Sequence, residues 1–204
     1  MHQIACPERK AVLVRKKHHN HNNSGNDGIA RYFPDFFLFI RLLEDKIQQA
    51  NYIANPGCFA TNIQLALLPL ASKGLLPAQI HINATTGSTG AGQKPTATSH
   101  FSWRNNNLSA YKSFEHQHLQ EVSESLDQLQ NGFLPESDKS LLERAAEKIN
   151  FVPQRGDFTR GIFSAIYVDS DLTEDEAYEL YNSYYASHPF TSVSKANIDL
   201  KQVV

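Results

Sequence analysis

A turn-forming triplet runs straight into an apolar segment, and this junction constrains the fold more than any other stretch of the chain. The sequence from Asn55 to Ala71 reads NPGCFATNIQLALLPLA. Proline fixes φ and glycine permits a close backbone approach, so NPG predicts a tight turn. Apolar residues then recur at helical spacing, which predicts a helix over Phe59–Ala71 that Pro69 kinks or ends. Cys58 therefore lies at the start of that helix.

Strand patterns and further helix patterns follow this junction. QIHINAT (79–85) alternates apolar with polar residues, and GIFSAIYVD (161–169) is rich in β-branched and aromatic residues, as strands are. Helices are predicted from about Gln117, over 138–150, and after Thr173, which forms a capping box with Glu176. Because strands and helices interleave without a strict βαβ repeat, the sequence predicts an α+β fold with a mixed β-sheet.

Composition narrows the functional class. The chain has 204 residues, 41% hydrophobic and 20% charged, with a net charge of −2, which is typical of a soluble globular protein. This balance does not favour nucleic acid or an acidic membrane surface as a partner. Two cysteines cannot form a disulfide framework, and no apolar run approaches the ~20 residues that cross a bilayer. The sequence therefore predicts a cytoplasmic protein.

The first 43 residues differ from the rest of the chain. HHNHNNSGNDG (18–28) is polar and low in complexity, which predicts a disordered or poorly packed leader. A flexible polar tract is the expected reading of its histidines, although such a cluster can also bind metal adventitiously. Residues 44–204 are predicted to form one folded domain.

Cys58 has two possible interpretations. At a helix start, free N–H groups and the positive end of the helix dipole stabilise an anion, so its thiol is expected to ionise more easily and act as a nucleophile. The alternative is that Cys58 is a small buried hydrophobic residue, a common fate of free cysteines. The residues alone leave both interpretations open.

A nucleophilic cysteine needs a partner that handles protons, and histidine suits neutral pH best. HQH places His116 and His118 at the entry to the predicted helix, where side chains project into a cleft. A solvated helix start is the structural alternative. Because neither a second HxH nor a CxxC is present, no metal site is predicted. The other histidines beyond the leader are His81, His100 and His188.

Two loops carry groups suited to anions. TGSTGAGQKPT (86–96) is glycine-rich, but it departs from the P-loop because a glutamine separates Gly92 from the lysine. Its backbone N–H groups can still bind an anion. Arg155 and Arg160 flank Asp157, and guanidinium groups hold carboxylates and phosphates bidentately, although a surface salt-bridge cluster is the alternative. Together these parts suit acyl transfer to sulfur from an anionic substrate.

Three blocks of the sequence, in order, resemble N-acetyl-γ-glutamyl-phosphate reductase, a family of arginine-biosynthesis enzymes. They are ANPGCFATNIQLALLPL, HINATTGSTGAGQKPTATSHFSWRNNNLSAYKSFEHQHLQEV and FVPQRGDFTRGIFSAIYV, and the resemblance runs from about Glu44 to the end. It implies a glyceraldehyde-3-phosphate-dehydrogenase-like C-terminal catalytic domain with helices on one face of the sheet. It also implies a homo-oligomer that reduces an acyl phosphate with NADPH, NADP being the cofactor.

The resemblance assigns roles residue by residue. It implies that Cys58 is the nucleophile that forms a thioester, that His116 is the acid/base, and that His118 supports it. Gly90 and Ala91 are expected near the nicotinamide. The residues expected to bind substrate are Ser88, Thr89, Gly90, Gly92, Arg104, His118, Arg155 and Arg160.

The sequence also departs from the family pattern. No GxGxxG follows a predicted strand, so the Rossmann domain is expected to be absent. Residues 1–43 do not resemble that domain, and the domain 44–204 is expected to be incomplete at its C-terminus. We therefore expect this chain alone to bind NADPH poorly and to turn over slowly.

Three hypotheses remain at this point. The first is the reductase with reduced activity. The second is a Cys–His acyl transferase or hydrolase that needs no cofactor. The third is an inactive fragment that acts only as an interaction domain.

Overall fold

The computed structural model describes residues 56–203 and the backbone of a short strand at 3–5. The helices are α1 (Cys58–Ala71), α2 (Phe101–Arg104), α3 (His118–Leu129), α4 (Leu141–Lys148), α5 (Glu174–Tyr185) and α6 (Leu200–Val203). The strands are β1 (Gln3–Ala5), β2 (Ile80–Thr86), β3 (Ser109–Ala110), β4 (Ile149–Arg155), β5 (Ile162–Val168) and β6 (Ser192–Ser194).

A mixed four-stranded sheet with the order β3-β4-β2-β5 carries the fold. Strand β2 pairs parallel with β4 and antiparallel with β5 along its whole length. Its side chains alternate, because Ile80, Ile82 and Ala84 are buried whereas His81 and Asn83 are exposed. One face of the sheet is thus covered by helices and the other is open, which confirms the predicted α+β fold with a mixed sheet.

Helix α1 is the centre of the core and is apolar on nearly every face. Phe59, Ile63, Leu67 and Leu68 are each at most 1% exposed. A helix that is apolar all round must be enclosed by other elements. Helices α3 and α5 and the sheet supply that enclosure.

Pro69 does not end α1, and the carbonyl groups of the preceding helical turn still have hydrogen-bond donors. The helix continues to Ala71, although a proline has no N–H for the carbonyl four residues earlier. That carbonyl belongs to Leu65, and the hydroxyl of Tyr185 donates to it at 2.6 Å. The hydroxyl of Tyr181 donates to the next carbonyl, that of Ala66. Two tyrosine hydroxyl groups of α5 therefore supply the hydrogen-bond donors that α1 lacks near the proline.

The parallel pairing of β2 with β4 brings two loops together at one end of the sheet. Thr86 and Arg155 are register partners at the carboxyl ends of these strands. The N–H of Gly156 donates to the carbonyl of Thr86 at 3.0 Å, and the N–H of Gly87 donates to the carbonyl of Gly161 at 3.0 Å. Loops that follow parallel strands meet at the same edge, where ligand sites commonly form.

Most predicted elements are confirmed, with a few differences. The helix predicted over 59–71 begins one residue earlier, and the capping box of Thr173 with Glu176 is present. Strand β4 was not predicted, and it contains Pro153, which lacks the N–H donor that a strand interior normally uses. Within the leader predicted to be disordered, Gln3–Ala5 pair antiparallel with β6. The rest of 1–55 lies outside the described residues.

None of the helices among the described residues is long and apolar enough to cross a membrane.

We expect Tyr185→Phe to destabilise the protein by about 1–3 kcal/mol, because the Leu65 carbonyl would be left buried without a donor. Urea denaturation measures the change. Pro69→Ala restores an N–H at position 69, so the loss should be much smaller in that background. Tyr178→Phe is the matched control, since its hydroxyl has no hydrogen bond within 56–203 and its removal should change little. Equal losses in both backgrounds would contradict this account of α1.

Candidate active site

Cys58 is the first residue of α1, and its thiol is free and exposed. The N-cap is Gly57, which has an extended backbone and provides no side chain to cap the helix. The carbonyl of Gly57 accepts the N–H of Thr61 at 3.0 Å. The alternative that Cys58 is a small buried core residue is therefore wrong, since its neighbours Phe59 and Ala60 are buried instead.

A carboxylate from α3 caps this helix start in place of a local side chain. The N–H of Gly57 donates to Oε2 of Glu121 at 2.9 Å. The first turn of α1 contains no acidic residue of its own, and an anion at a helix N-terminus is stabilised by the free N–H groups and the dipole. Glu121 therefore fixes the NPGC turn to α3.

The pKa of the Cys58 thiol is raised, which differs from the expected direction. Burial of the sulfur among its neighbours raises this pKa, the N–H groups of Phe59 and Cys58 lower it, and the Glu121 carboxylate raises it further. A helix dipole contributes about 0.3–1 kcal/mol at an exposed site, so partial desolvation and a nearby anion outweigh it. The expectation that position alone makes this thiol ionise easily is wrong in this structure.

The ring of His118 lies directly against the NPGC turn. A Cβ atom at Gly57 would come within 2.2 Å of Nε2 of His118, so only glycine fits there. The same Nε2 is 3.9 Å from Oε1 of Glu121. Nδ1 of His118 is buried without a hydrogen-bond partner among the described residues. Burial lowers the pKa of His118, and the Glu121 carboxylate raises it.

His116 is enclosed by rings and is only 3% exposed. Its ring centroid is 5.5 Å from that of Phe59, 5.6 Å from Phe151 and 4.7 Å from His118. Its Nδ1 accepts the N–H of His118 at 3.3 Å, so the neutral ring carries its proton on Nε2. Burial and the nearby positive charges lower the pKa of His116 to about 4, which leaves the ring neutral at pH 7.

Arg155 and Tyr111 complete this cluster. The Arg155 guanidinium carbon lies 3.5 Å from the centroid of the Tyr111 ring, which is a close cation–π contact. The Tyr111 ring centroid is 5.7 Å from that of His116. Asp157 does not pair with Arg155, since its carboxylate accepts the N–H of Asn106 at 2.7 Å. The predicted salt-bridge alternative for Arg155 is therefore wrong within residues 56–203.

The glycine-rich loop packs onto the neighbouring loop with the donors that were expected to bind an anion. The N–H groups of Ser88 and Thr89 donate to the carbonyls of Phe158 and Thr159 at 2.9 and 3.0 Å. Their hydroxyl groups donate to the same two carbonyls. In this structure these donors form hydrogen bonds within the chain and are not free to bind an anion. Any other substrate contact from Ser88 or Thr89 stays a prediction.

The remaining predicted residues differ in their surroundings. Gly90, Ala91 and Gly92 are exposed, and their assignment to substrate or nicotinamide stays a prediction. Arg104 is 7% exposed and donates from Nη2 to the carbonyl of Gly156 at 2.6 Å, so it supports the loop after β4. The exposed Arg160 lies on that loop, where its N–H packs against Gly87.

Two members of the cluster were missed in the sequence. Glu121 follows His118 by three residues, so the pattern HxxE on a predicted helix could have placed both on one face. Tyr111 carries no such pattern, because tertiary pairing of its backbone with β4 brings it into the site. No group of three or more His, Cys, Asp or Glu suited to a metal ion occurs among the described residues.

Comparison with known proteins agrees with these motifs. Residues 58–204 match the family model described as semialdehyde dehydrogenase, dimerisation domain. The chain is 53% identical over 163 residues to the N-acetyl-gamma-glutamyl-phosphate reductase of Azobacteroides pseudotrichonymphae genomovar. CFP2, covering 80% of this chain and 46% of the relative. The reductase of Flavobacterium johnsoniae is 55% identical over 159 residues, covering 78% of this chain and 45% of the relative.

A solved structure of aspartate semialdehyde dehydrogenase with NADP from Candida albicans superposes with a TM-score of 0.36 and 15% identity, covering 69% of this chain and 40% of that one. A similarity this low carries no functional argument. The chain spans about half the length of the curated relatives it matches. Since the family model covers most of its residues, this chain belongs to the semialdehyde dehydrogenase dimerisation-domain family.

Proposed function

We propose that this chain is the part of an N-acetyl-γ-glutamyl-phosphate reductase that carries the nucleophile, Cys58. The reaction reduces the acyl phosphate to N-acetyl-glutamate semialdehyde with NADPH in cytoplasmic arginine biosynthesis. The relatives that carry this name are about half identical to the chain. The observation that supports the chemistry most directly is a free, exposed cysteine at the start of α1, whose two sequence neighbours, Gly57 and Phe59, contact the rings of His118 and His116.

The step assigned to the described residues is acylation of Cys58. The thiolate attacks the acyl carbon, a carbon–sulfur bond forms, and the carbon–oxygen bond to phosphate breaks with its electron pair leaving on phosphate. The product is a thioester on Cys58 and free phosphate. Because the pKa of this thiol is raised, its proton must move to a base before or during attack.

The contacts favour His118 over His116 as that base. The resemblance assigns the role to His116, but its Nδ1 accepts a backbone N–H and its pKa is about 4. His118 instead turns Nε2 toward Gly57, the residue before the nucleophile, and has Glu121 beside it. A carboxylate next to an imidazole stabilises the protonated ring. We therefore assign proton transfer to His118, with Glu121 supporting it.

The described residues do not form a cradle for the phosphates of a dinucleotide. The glycine-rich loop after β2 leads into a four-residue 3-10 turn, Ser88–Ala91, rather than a helix. Its first N–H groups donate to carbonyls of the chain. When bound, NADPH would supply the hydride that reduces the thioester. No residue from 56–203 is assigned here to hold its phosphates.

The chain is proposed to associate with a second copy of itself through the open face of the sheet. Phe163 and Tyr167 of β5 are 42% and 46% exposed on this face, beside the exposed His81 and Asn83 of β2. Exposed aromatic groups set among polar ones are typical of protein interfaces. The description of the matched family as a dimerisation domain supports this partner.

Acylation can be tested on this chain without a cofactor. Incubation with N-acetyl-γ-glutamyl phosphate should add one hydroxylamine-labile acyl group, detected by intact mass, with phosphate released. Because the thiol pKa is raised, the rate should increase as pH rises toward it. Cys58→Ser should abolish the adduct.

Other outcomes of this assay would favour other functions. Continuous phosphate release without NADPH would favour a hydrolase. Absence of both adduct and phosphate would contradict a catalytic role and favour an interaction domain.

The assignment of the base is tested by matched histidine variants. His118→Asn should slow acylation by about 100-fold, the size typical of losing a general base. His116→Asn should slow it less, since Asn can still accept the His118 N–H. Melting temperature controls for folding. The reverse order of effects would return the acid/base role to His116.

The proposed interface is tested by sedimentation velocity. Phe163→Asp combined with Tyr167→Asp should shift the chain to monomers, because two charges would be buried between copies. Phe101→Asp is the matched control, since Phe101 is 77% exposed and lies on α2. An unchanged mass for the double variant would exclude this face as the interface.

A further inference from the structure

The guanidinium of Arg155 has no ion pair or hydrogen bond within residues 56–203. Its contact there is the Tyr111 ring, 3.5 Å from the guanidinium carbon. Arg155 is half-buried at the carboxyl end of β4, where its backbone pairs with Ser109 and Thr86. A cation held away from water without a counter-ion is unfavourable unless a ligand supplies one.

The Tyr111 ring fixes the plane of this cation. A guanidinium that lies over an aromatic face at this distance keeps its N–H groups directed outward at its edge. The Tyr111 hydroxyl makes no hydrogen bond within the described residues. Stacking, and not a hydrogen bond of the phenol, is therefore the contact through which Tyr111 acts on Arg155.

The backbone around Tyr111 is held in place and strained. The N–H of Tyr111 donates to the carbonyl of Pro153 at 3.1 Å, and the N–H of Phe114 donates to that of Phe151 at 2.8 Å. Lys112 and Phe114 have positive φ values of 45° and 65°, which non-glycine residues adopt rarely. Such strain is found where surrounding structure fixes a functional segment.

Ring contacts link this pair to the start of α1. The Tyr111 ring is 5.7 Å from that of His116, which is 5.5 Å from the ring of Phe59, the residue after Cys58. Burial raises the pKa of the Tyr111 phenol, the Arg155 guanidinium opposes this, and charge on Cys58 raises it further. Phenol and sulfur are therefore within electrostatic reach of each other.

We propose that Tyr111 is a positioning residue, which holds Arg155 flat so that its free edge binds a carboxylate of the substrate beside Cys58. This inference rests on the proposed acyl phosphate function, because that substrate carries a carboxylate at one end and the reacting acyl group at the other. Tyr111 acts through Arg155 and does not itself take part in the reaction.

A carboxylate fits this position better than a phosphate. The free edge of one stacked guanidinium offers parallel N–H groups in one plane, which match the two oxygens of a planar carboxylate. The leaving phosphate carries more charge than a single cation balances. The Lys112 ammonium has one of its three donors directed to Oε1 of Gln117 at 2.9 Å, so the planar pair of donors belongs to Arg155.

The test compares two alkylating reagents of similar size on the full chain carrying Cys6→Ser, so that Cys58 is its one thiol. Iodoacetate carries a carboxylate, and iodoacetamide is its neutral counterpart. We expect the iodoacetate-to-iodoacetamide rate ratio at Cys58 to exceed that of a free cysteine peptide by about tenfold, as one charge-assisted contact at a half-buried site allows.

Four variants distinguish the effects of the aromatic ring, the arginine charge and folding on the rate ratio. Arg155→Gln and Tyr111→Leu should reduce the ratio to that of the peptide, whereas Tyr111→Phe should keep it because the aromatic face remains. Lys73→Gln removes the same charge beyond the far end of the 14-residue α1, about 20 Å away, and should leave the ratio unchanged. The iodoacetamide rate and the melting temperature report on folding.

Several results would overturn the proposal. An unchanged rate ratio in Arg155→Gln would show that the arginine does not bind the carboxylate. Equal decreases of the ratio in Tyr111→Phe and Tyr111→Leu would show that stacking on the ring is not needed. If inorganic phosphate inhibits alkylation by iodoacetate more strongly than acetate does at equal ionic strength, the group that Arg155 binds is a phosphate and not a carboxylate. If Tyr111→Leu does not fold, Tyr111→Phe and Arg155→Gln still decide. The assay uses neither acyl phosphate nor NADPH, so failure of the proposed function is detected separately.

Discussion

The hydrogen bond between the N–H of Gly57 and the carboxylate of Glu121 joins the two helix starts on which the site depends. It caps α1 from another element, because the turn before Cys58 has no side-chain cap of its own. The ring of His118, one helical turn before Glu121, then packs against Gly57 so closely that no side chain fits. The backbone before Cys58 and the ring of His118 are thereby held against each other.

The same carboxylate also acts on the Cys58 thiol. Burial is the largest reason that the pKa of this thiol is raised, and the Glu121 carboxylate raises it further. It also opposes the effect of burial on the pKa of His118. Glu121 therefore holds the turn and adds to the raised thiol pKa, so the proposed acylation needs a base that takes the thiol proton.

The fold could be predicted largely because its elements follow local patterns. The alternation in β2, the apolar run of α1 and the capping box before α5 each specify an element without tertiary information. The sequence did not reveal that Tyr185 would satisfy the carbonyl opposite Pro69. Strand β4 was missed for a related reason, since only its pairing with the distant strands β2 and β3 defines it as a strand.

The candidate site shows the same division between local and distant effects. Cys58, His116, His118 and Arg155 lie in motifs that can be found by spacing. The structure places His118 against Gly57, His116 against Phe59, and Arg155 over Tyr111. Tyr111 carries no pattern because only its pairing with β4 places it there. In the glycine-rich loop, the donors of Ser88 and Thr89 face another loop, 70 residues further along the chain, which local sequence does not reveal.

The protonation states of Cys58 and the two histidines connect these observations to the proposed acylation. With the thiol pKa raised and the pKa of His116 near 4, the resting site holds a protonated sulfur and a neutral His116. The proposed acylation has to move the thiol proton to a group that becomes more stable when charged. His118 beside the Glu121 carboxylate meets that requirement, whereas His116, facing positive charges and enclosed by rings, does not. The carboxylate that opposes ionisation of the sulfur is thus the group that stabilises the acceptor of its proton.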